Sequence, residues 1–195
     1  MTIIKEGGRK RSDKDFYPTP IEFARAVVNT VIPKECSPAF ICDPGAGTGV
    51  WGKALKEVDK FKPSYLVGVD KFFEKPSEDY DEWDIDDYLN YTFMFGTYDL
   101  IIGNPPYSLA EEFIRQSLEI LNGEGYLIFL LRLSMLESAT RGKGLWKETP
   151  LKEVNVCIQR ISFTGDGHTD DTAYGVFVWK KDFVGSPILK WLDWR

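Results

Sequence analysis

Histidine is nearly absent from this chain and cysteine is scarce: His168 stands alone, with Cys36, Cys42 and Cys157 scattered among 195 residues. No metal-ligand spacing joins them, which argues against a zinc site or any other metal centre. An odd, dispersed set of thiols is also no disulfide framework, so a reduced, intracellular (cytoplasmic) setting is expected. No apolar run approaches the roughly 20 residues of a membrane crossing, and no apolar signal core follows the first methionine. Excess positive charge is missing too. Thirty acidic against 24 basic side chains give a net charge of −6. That disfavours a dedicated high-affinity nucleic-acid binder, whose affinity comes mostly from phosphate contacts. It does not exclude an enzyme whose positive charge is local. Internal repeats and low-complexity linkers are absent as well.

What remains is an ordinary globular composition, 43% hydrophobic and 28% charged, in a chain long enough for one α/β domain with a full core. Residues 1–15 are polar and basic (Lys5, Arg9, Lys10, Arg11, Lys14) and are expected to be a mobile arm; residues 16–195 form a single domain. Six apolar runs read as strands: Ala39–Asp43, Tyr65–Asp70, Tyr98–Ile102, Tyr126–Leu131, Val154–Ile158 and Tyr174–Trp179, the last two closing the series. Between them, Thr19 caps a helix starting at Pro20, with Ile21, Ala24, Val27, Val28 and Val31 as its apolar stripe. A second helix runs from Val50 to about Glu57. A third spans Ala110–Leu121, with Phe113, Ile114, Leu118 and Leu121 inward and Asn122-Gly123 as its stop. Glu74–Asp87 reads as an acidic connector.

Chemistry concentrates at the ends of the strands. After Asp43 comes Pro44-Gly45-Ala46-Gly47-Thr48-Gly49, a glycine-rich turn into a helix, where backbone can approach a ligand closely. It lacks the Gly-Lys-Ser/Thr ending of a phosphate-cradling loop and the dinucleotide spacing. The carboxylate of Asp43 suits a cationic amino-acid group better than a phosphate. Asp70, at the end of the next strand, has the geometry to accept from two ribose hydroxyls, or is a surface aspartate. The strand Tyr98–Ile102 stops at Gly103-Asn104-Pro105-Pro106-Tyr107, because neither proline has an N–H for a ladder. Ser108 then offers an N-cap, the plain reading of the turn. Asn104 also offers a side-chain carbonyl, the next residue a main-chain carbonyl, and Tyr107 a flat face: a grip for a planar amine. Phe163, in a glycine-rich polar loop, is either a buried anchor or a ring that sandwiches a base, worth roughly 1–3 kcal/mol. His168, in the same loop, is not needed for this chemistry.

The ordered set Phe16–Pro20, DPGAGTG at 43–49, Asp70, Asp87-Tyr88-Leu89 and Asn104–Tyr107 resembles the S-adenosylmethionine-dependent adenine-N6 DNA methyltransferases with an NPPY motif. It is most similar to small phage-type members without a separate target-recognition domain. The likeness runs from about Phe16 to Lys180 and takes in Leu130–Ser138 and Ser162–Asp170. It implies a Rossmann-like methyltransferase fold: a mostly parallel seven-stranded sheet with an antiparallel last strand and helices on both faces. The cofactor it implies is S-adenosyl-L-methionine. Tyr17, Pro18 and Thr19 would lie at its methionine end, and Asp43, Pro44, Gly45, Ala46 and Gly47 at its amino-acid group. Asp70 and Lys71 would meet the ribose, and Asp87 and Tyr88 the adenine, with Asp84 and Asp86 as competitors for Asp87. Asn104, Pro105, Pro106 and Tyr107 would be catalytic, Asn104 also touching the cofactor. Tyr107 and Phe163 would stack on the target base, while Arg132, Arg141 and Lys143 contact nucleic acid. DNA, duplex or single-stranded, is the expected partner, read with short or relaxed sequence specificity. Pairing with a second copy or a recognition partner stays open. The same grip also fits an RNA adenine or a protein glutamine amide, and a non-catalytic cofactor-binding module is the remaining alternative.

Overall fold

A computed structural model describes residues 17–73, 78–93, 96–164 and 171–195. The basic arm at 1–15, Phe16 and the loop residues 165–170, His168 among them, lie outside these residues. Continuous apolar runs need cover on both faces, and the chain supplies it. Strands β1 (Phe40–Pro44), β2 (Tyr65–Val69), β3 (Glu82–Asp84), β4 (Tyr98–Gly103), β5 (Leu121–Arg132), β6 (Leu151–Cys157), β7 (Tyr174–Lys180) and β8 (Ile188–Leu192) form one sheet, in the order β3-β2-β1-β4-β5-β7-β6-β8. Strands β1 to β5 are mutually parallel, β7 runs antiparallel between β5 and β6, and β8 pairs parallel to β6 at the far edge.

Alternation along the strands divides the core in two. Leu100, Ile102, Ile128 and Leu130 pack on one face with Phe23, Ala24 and Val27 of α1 (Ile21–Thr30) and Ala54 and Leu55 of α2 (Val50–Lys56). Ile101, Leu127, Phe129 and Leu131 pack on the other with Phe113 and Ile114 of α3 (Ala110–Ile120). Two short helices, α4 (Ala139–Lys143) and α5 (Leu145–Glu148), follow β5 on that side and add Leu145 to the second layer. No helix among the described residues is long and apolar enough to cross a membrane.

The sheet has eight strands, not seven. Tyr174–Lys180 is antiparallel as expected but is not the last strand, because β8 follows it. Strand β3 lies inside the expected acidic connector. It is three residues long and joined to β2 through main-chain pairing at Val67–Val69, so its side chains carry no apolar signature. Strand β8 is an edge strand with four of its five residues exposed, so no alternation marks it either. Helix α1 starts at Ile21 with Pro20 at the cap position and no side-chain cap bond, and α3 stops at Ile120, where β5 begins directly. The expected stop residue Asn122 instead donates its side-chain amide to Asp99. Nor does Ser108 cap a helix: a short 3-10 turn, Tyr107–Leu109, precedes α3, whose cap position is Leu109.

Tyr80 has a place in the core that its sequence neighbours do not announce. It is 9% exposed and packs edge-on against Trp83 at 5.0 Å. A methyl group on Gly52 would lie 2.5 Å from Tyr80 Cε2, and one on Gly68 would lie 2.8 Å from Trp83 Cε3. Gly52→Ala is therefore expected to destabilise the fold by about 1–3 kcal/mol through overpacking. The shift in urea midpoint measures it, and an unchanged midpoint would contradict this packing.

Candidate active site

The sheet order changes direction at β1. The chain moves outward from β1 to β2 and β3, then returns to place β4 and β5 on the other side, which opens a crevice at the C-terminal ends of β1 and β4. The glycine loop leaves β1 there, and Asn104-Pro105-Pro106 leaves β4. Gly45, Gly47 and Gly49 have φ of 69°, 55° and 77°, a region that β-carbons disfavour. The loop is pinned by Gly45 N–H to the Val69 carbonyl (2.8 Å) and by Gly47 N–H to Asp70 Oδ2 (2.9 Å). A methyl group on Gly45 would lie 3.6 Å from Pro106 Cδ, so the two loops face each other at close range.

A cleft runs between them. Tyr17, Pro18 and Thr19 line it with Asn104, Pro105 and Pro106 of the one loop, Gly45, Ala46 and Gly47 of the other, and Asp70. The structure thus brings together most of the residues expected from the sequence. It adds Thr48, Val50, Trp51, Phe72 and Phe73, which the motif reading did not single out. A second compartment shares Gly45, Asp70, Phe72 and Pro106 with the first and is lined by Lys71, Asp86, Asp87 and Tyr88.

Asn104 is oriented by its neighbours. Its Nδ2 donates to the Tyr17 carbonyl at 2.9 Å and to Thr19 Oγ1 at 3.2 Å. A carbonyl only accepts, so the amide nitrogen must face Tyr17 and the amide oxygen must face away. That oxygen, Oδ1, is buried and has no hydrogen-bond partner among the described residues. Thr19, expected to cap α1, thus serves to aim Asn104.

The acids differ in their fates. Asp70 accepts from Gly47 N–H through Oδ2 and from Phe72 N–H through Oδ1 (2.8 Å), which fixes its plane at the border of the two compartments. Asp87 is held by Lys71 at 2.8 Å, and that hydrogen bond, the largest influence, keeps its carboxyl below the usual range. Asp86 shares the second compartment, whereas Asp84 accepts from Tyr91 at 2.5 Å and does not line it. Tyr88 is buried, bonded to Ser117 Oγ at 2.8 Å and packed on Phe113. Asp43 is not among the lining residues; it is fully buried, with Oδ2 accepting from Tyr80 at 2.5 Å. The Tyr80 hydroxyl in turn accepts from Gly52 N–H (3.1 Å), joining β1 to α2. Burial pushes the Asp43 carboxyl up to about 8, so it holds its proton at neutral pH and is not the surface anion its position suggests. Pro44 is likewise not among the lining residues, its carbonyl 3.2 Å from where a β-carbon on Gly103 would stand.

An aromatic cluster flanks the motif. The Tyr107 ring lies 5.3 Å from Tyr17 and 5.6 Å from Tyr174, with the Arg132 guanidinium 4.8 Å from its centroid. Arg132 also donates to the Tyr17 hydroxyl (3.3 Å), and its buried Nε–H has no partner among the described residues. Phe163 is 8% exposed and edge-on to Tyr17 and Tyr174, so its ring packs as the buried anchor that was one of its two readings. Arg141, expected at nucleic acid, is committed to main-chain carbonyls instead: those of Met135 (2.9 Å), Ser134 (3.2 Å) and Glu137 (2.6 Å). Lys143 is exposed on α4.

No family model matches the sequence, and no curated protein matches it. Solved structures do match the fold. A Listeria monocytogenes protein assigned to the class I S-adenosylmethionine-dependent methyltransferases aligns with a TM-score of 0.68 at 14% identity, over 96% of this chain and 68% of that one. The type I restriction-modification system methyltransferase subunit of Streptococcus thermophilus aligns with a TM-score of 0.66 at 16% identity, over 85% of this chain and 45% of that one. The chain therefore spans less than half of that subunit. The Burkholderia thailandensis 1,6-didemethyltoxoflavin-N1-methyltransferase, solved with S-adenosylhomocysteine, aligns with a TM-score of 0.55 at 14% identity, over 83% of this chain and 77% of that one. At these identities the likeness is one of fold, and the fold is that of the S-adenosylmethionine-dependent methyltransferases.

Proposed function

We propose that the chain transfers the methyl group of S-adenosyl-L-methionine to the exocyclic N6 amino group of adenine in DNA. One observation carries this reading: a buried, unpartnered amide oxygen on Asn104, held in place by its own amide nitrogen and placed beside a glycine-lined cleft. Orphaned acceptors of this kind are rare in folded proteins and call for a ligand that donates.

The residues fit the cofactor along its length. Glycines at 45 and 47 let the backbone come close, Asp70 has acceptor capacity left for a ribose diol, and Asp87, Asp86 and Tyr88 offer an acidic and aromatic setting for an adenine. Bound there, S-adenosylmethionine supplies an electrophilic methyl group on a sulfonium. Asn104 Oδ1 accepts one N–H of the incoming amine and the Pro105 carbonyl accepts the other. Two acceptors on one nitrogen favour its pyramidal form and stabilise the positive charge that develops on it. Positioning and electrostatics therefore carry the catalysis, and no strong general base is needed. Tyr107, braced by Tyr17, Tyr174 and Arg132, offers the flat surface on which an extruded base stacks, extrusion costing a few kcal/mol for a paired base. Arg132, with a spare donor beside that ring, suits an electron-rich nucleic-acid group.

The test is transfer of labelled methyl from the cofactor to duplex DNA, single-stranded DNA, RNA and protein in parallel, followed by nuclease digestion and mass spectrometry. N6-methyladenine in DNA is the expected product. Label in RNA or in glutamine side chains would redirect the substrate, and no transfer to any acceptor would leave a cofactor-binding module.

A further inference from the structure

Two residues that line the cleft each carry a buried side-chain polar atom without a hydrogen-bond partner among the described residues, and the two atoms have opposite character: Asn104 Oδ1, an acceptor, and Trp51 Nε1, a donor. The first is explained by an incoming amine. The second is left over. Trp51 is the second residue of α2, directly after the glycine loop, and is 3% exposed. An indole N–H donates and never accepts, so whatever satisfies it must offer a lone pair.

We propose that Trp51 Nε1–H receives the α-carboxylate of the cofactor and so makes the cleft selective for the intact amino-acid end; this rests on the S-adenosylmethionine reading above. Position separates the candidate acceptors. Trp51 shares the compartment of Tyr17, Pro18, Thr19 and Asn104 and is absent from the one lined by Asp86, Asp87 and Tyr88, which suits the adenine. Asp70, at the border of the two, is placed for the ribose. The acceptor left for Trp51 is the carboxylate. Nothing in the sequence pattern marks this role, because a tryptophan in the first turn of a buried helix reads as core. Asp43, eight positions before Trp51, does not oppose an anion there, since it is fully buried outside the lining and is engaged by Tyr80.

The experiment compares S-adenosylmethionine with its decarboxylated analogue, which keeps the sulfonium, ribose, adenine and amino group. Affinities for both are measured by calorimetry on the unaltered chain and on Trp51→Phe, which removes the N–H together with one ring of the indole, a packing loss that both ligands would feel alike. A hydrogen bond to a charged group predicts that Trp51→Phe binds S-adenosylmethionine roughly ten- to a hundredfold more weakly, with the analogue unchanged within about twofold. Equal weakening toward both ligands would make Trp51 a packing residue and overturn the proposal; so would full affinity for both. Should the Phe variant fail to fold, benzothienylalanine at position 51 replaces the N–H by sulfur at nearly constant volume and must show the same selective loss. In the unaltered chain, the Trp51 indole N–H resonance is expected to move with S-adenosylmethionine and not with the analogue. An unaltered chain that binds neither ligand would overturn the cofactor reading itself. One that binds S-adenosylmethionine while Trp51→Phe does so equally well overturns only the Trp51 assignment.

Discussion

Asn104→Ala is expected to leave a folded protein that binds S-adenosylmethionine within severalfold of the unaltered chain yet turns over roughly a hundred- to a thousandfold more slowly. The asymmetry follows from what the two ends of the amide do. Its nitrogen holds the Tyr17 carbonyl and Thr19 Oγ1, both on the cleft wall, where water can replace it at a cost of about 1 kcal/mol per bond. Its oxygen has no partner, so in the cofactor-bound state its removal subtracts only from the interaction with the reacting amine. Two companion variants sharpen the test. Thr19→Val removes one of two acceptors for the amide nitrogen and is expected to cost only severalfold in turnover. Asn104→Asp keeps an acceptor but, unlike Ala, sets a carboxylate oxygen against the Tyr17 carbonyl and pushes that wall away, so it is expected to weaken cofactor binding and turnover together. Calorimetric affinity and single-turnover methyl transfer separate these outcomes. Turnover by a folded Asn104→Ala protein close to that of the unaltered chain would remove Asn104 from the chemistry.

Much of this site was legible because its chemistry sits on strand ends, where sequence and topology coincide. A run such as Tyr98–Ile102 can only be a buried strand, and Asn104-Pro105-Pro106 can only leave it. Parallel pairing of β2, β1 and β4 then brings Asp70, the glycine loop and Asn104 to one crevice. What escaped was what depends on pairing across the chain rather than along it. The edge strands β3 and β8 have no alternation because one is polar and the other is exposed, and only hydrogen bonds to a neighbour define them. Arg141 reads as a free cation in a basic stretch, but the 3-10 turn at Leu133–Leu136 and the residue after it present three carbonyls to it. Tyr80, Trp51 and Arg132 carry no motif. Their roles come from Gly52, 28 positions from Tyr80, from the cleft that Trp51 lines, and from the Tyr107 ring, 25 positions from Arg132.

Asp43 is where the largest pH dependence is expected. Its carboxyl ionises near 3.8 in the absence of structure and at about 8 in the folded chain; burial is the main cause, the charge of Asp70 adds to it, and the Tyr80 hydrogen bond opposes it. The sign follows from proton counting. Between those two values the folded state keeps a proton that the unfolded state has released, so the contribution of Asp43 to stability is complete below about pH 4 and is lost as the pH climbs toward 8. The loss approaches about 1.4 kcal/mol for each pH unit in that window. Asn at this position keeps an acceptor for the Tyr80 hydroxyl and has no proton to lose. Asp43→Asn is therefore expected to gain on the unaltered chain steadily from pH 5 upward and to hold a constant advantage above about pH 8, as read from urea unfolding at a series of pH values. Taking the difference between the two proteins cancels the titrations they share. Tyr80→Phe removes the one influence that lowers this carboxyl, so it should extend the sloping region to higher pH. A difference between Asp43→Asn and the unaltered chain that stays flat across the series would mean that Asp43 is already ionised at the start of the glycine loop, and a buried anion there would change what the cleft can attract.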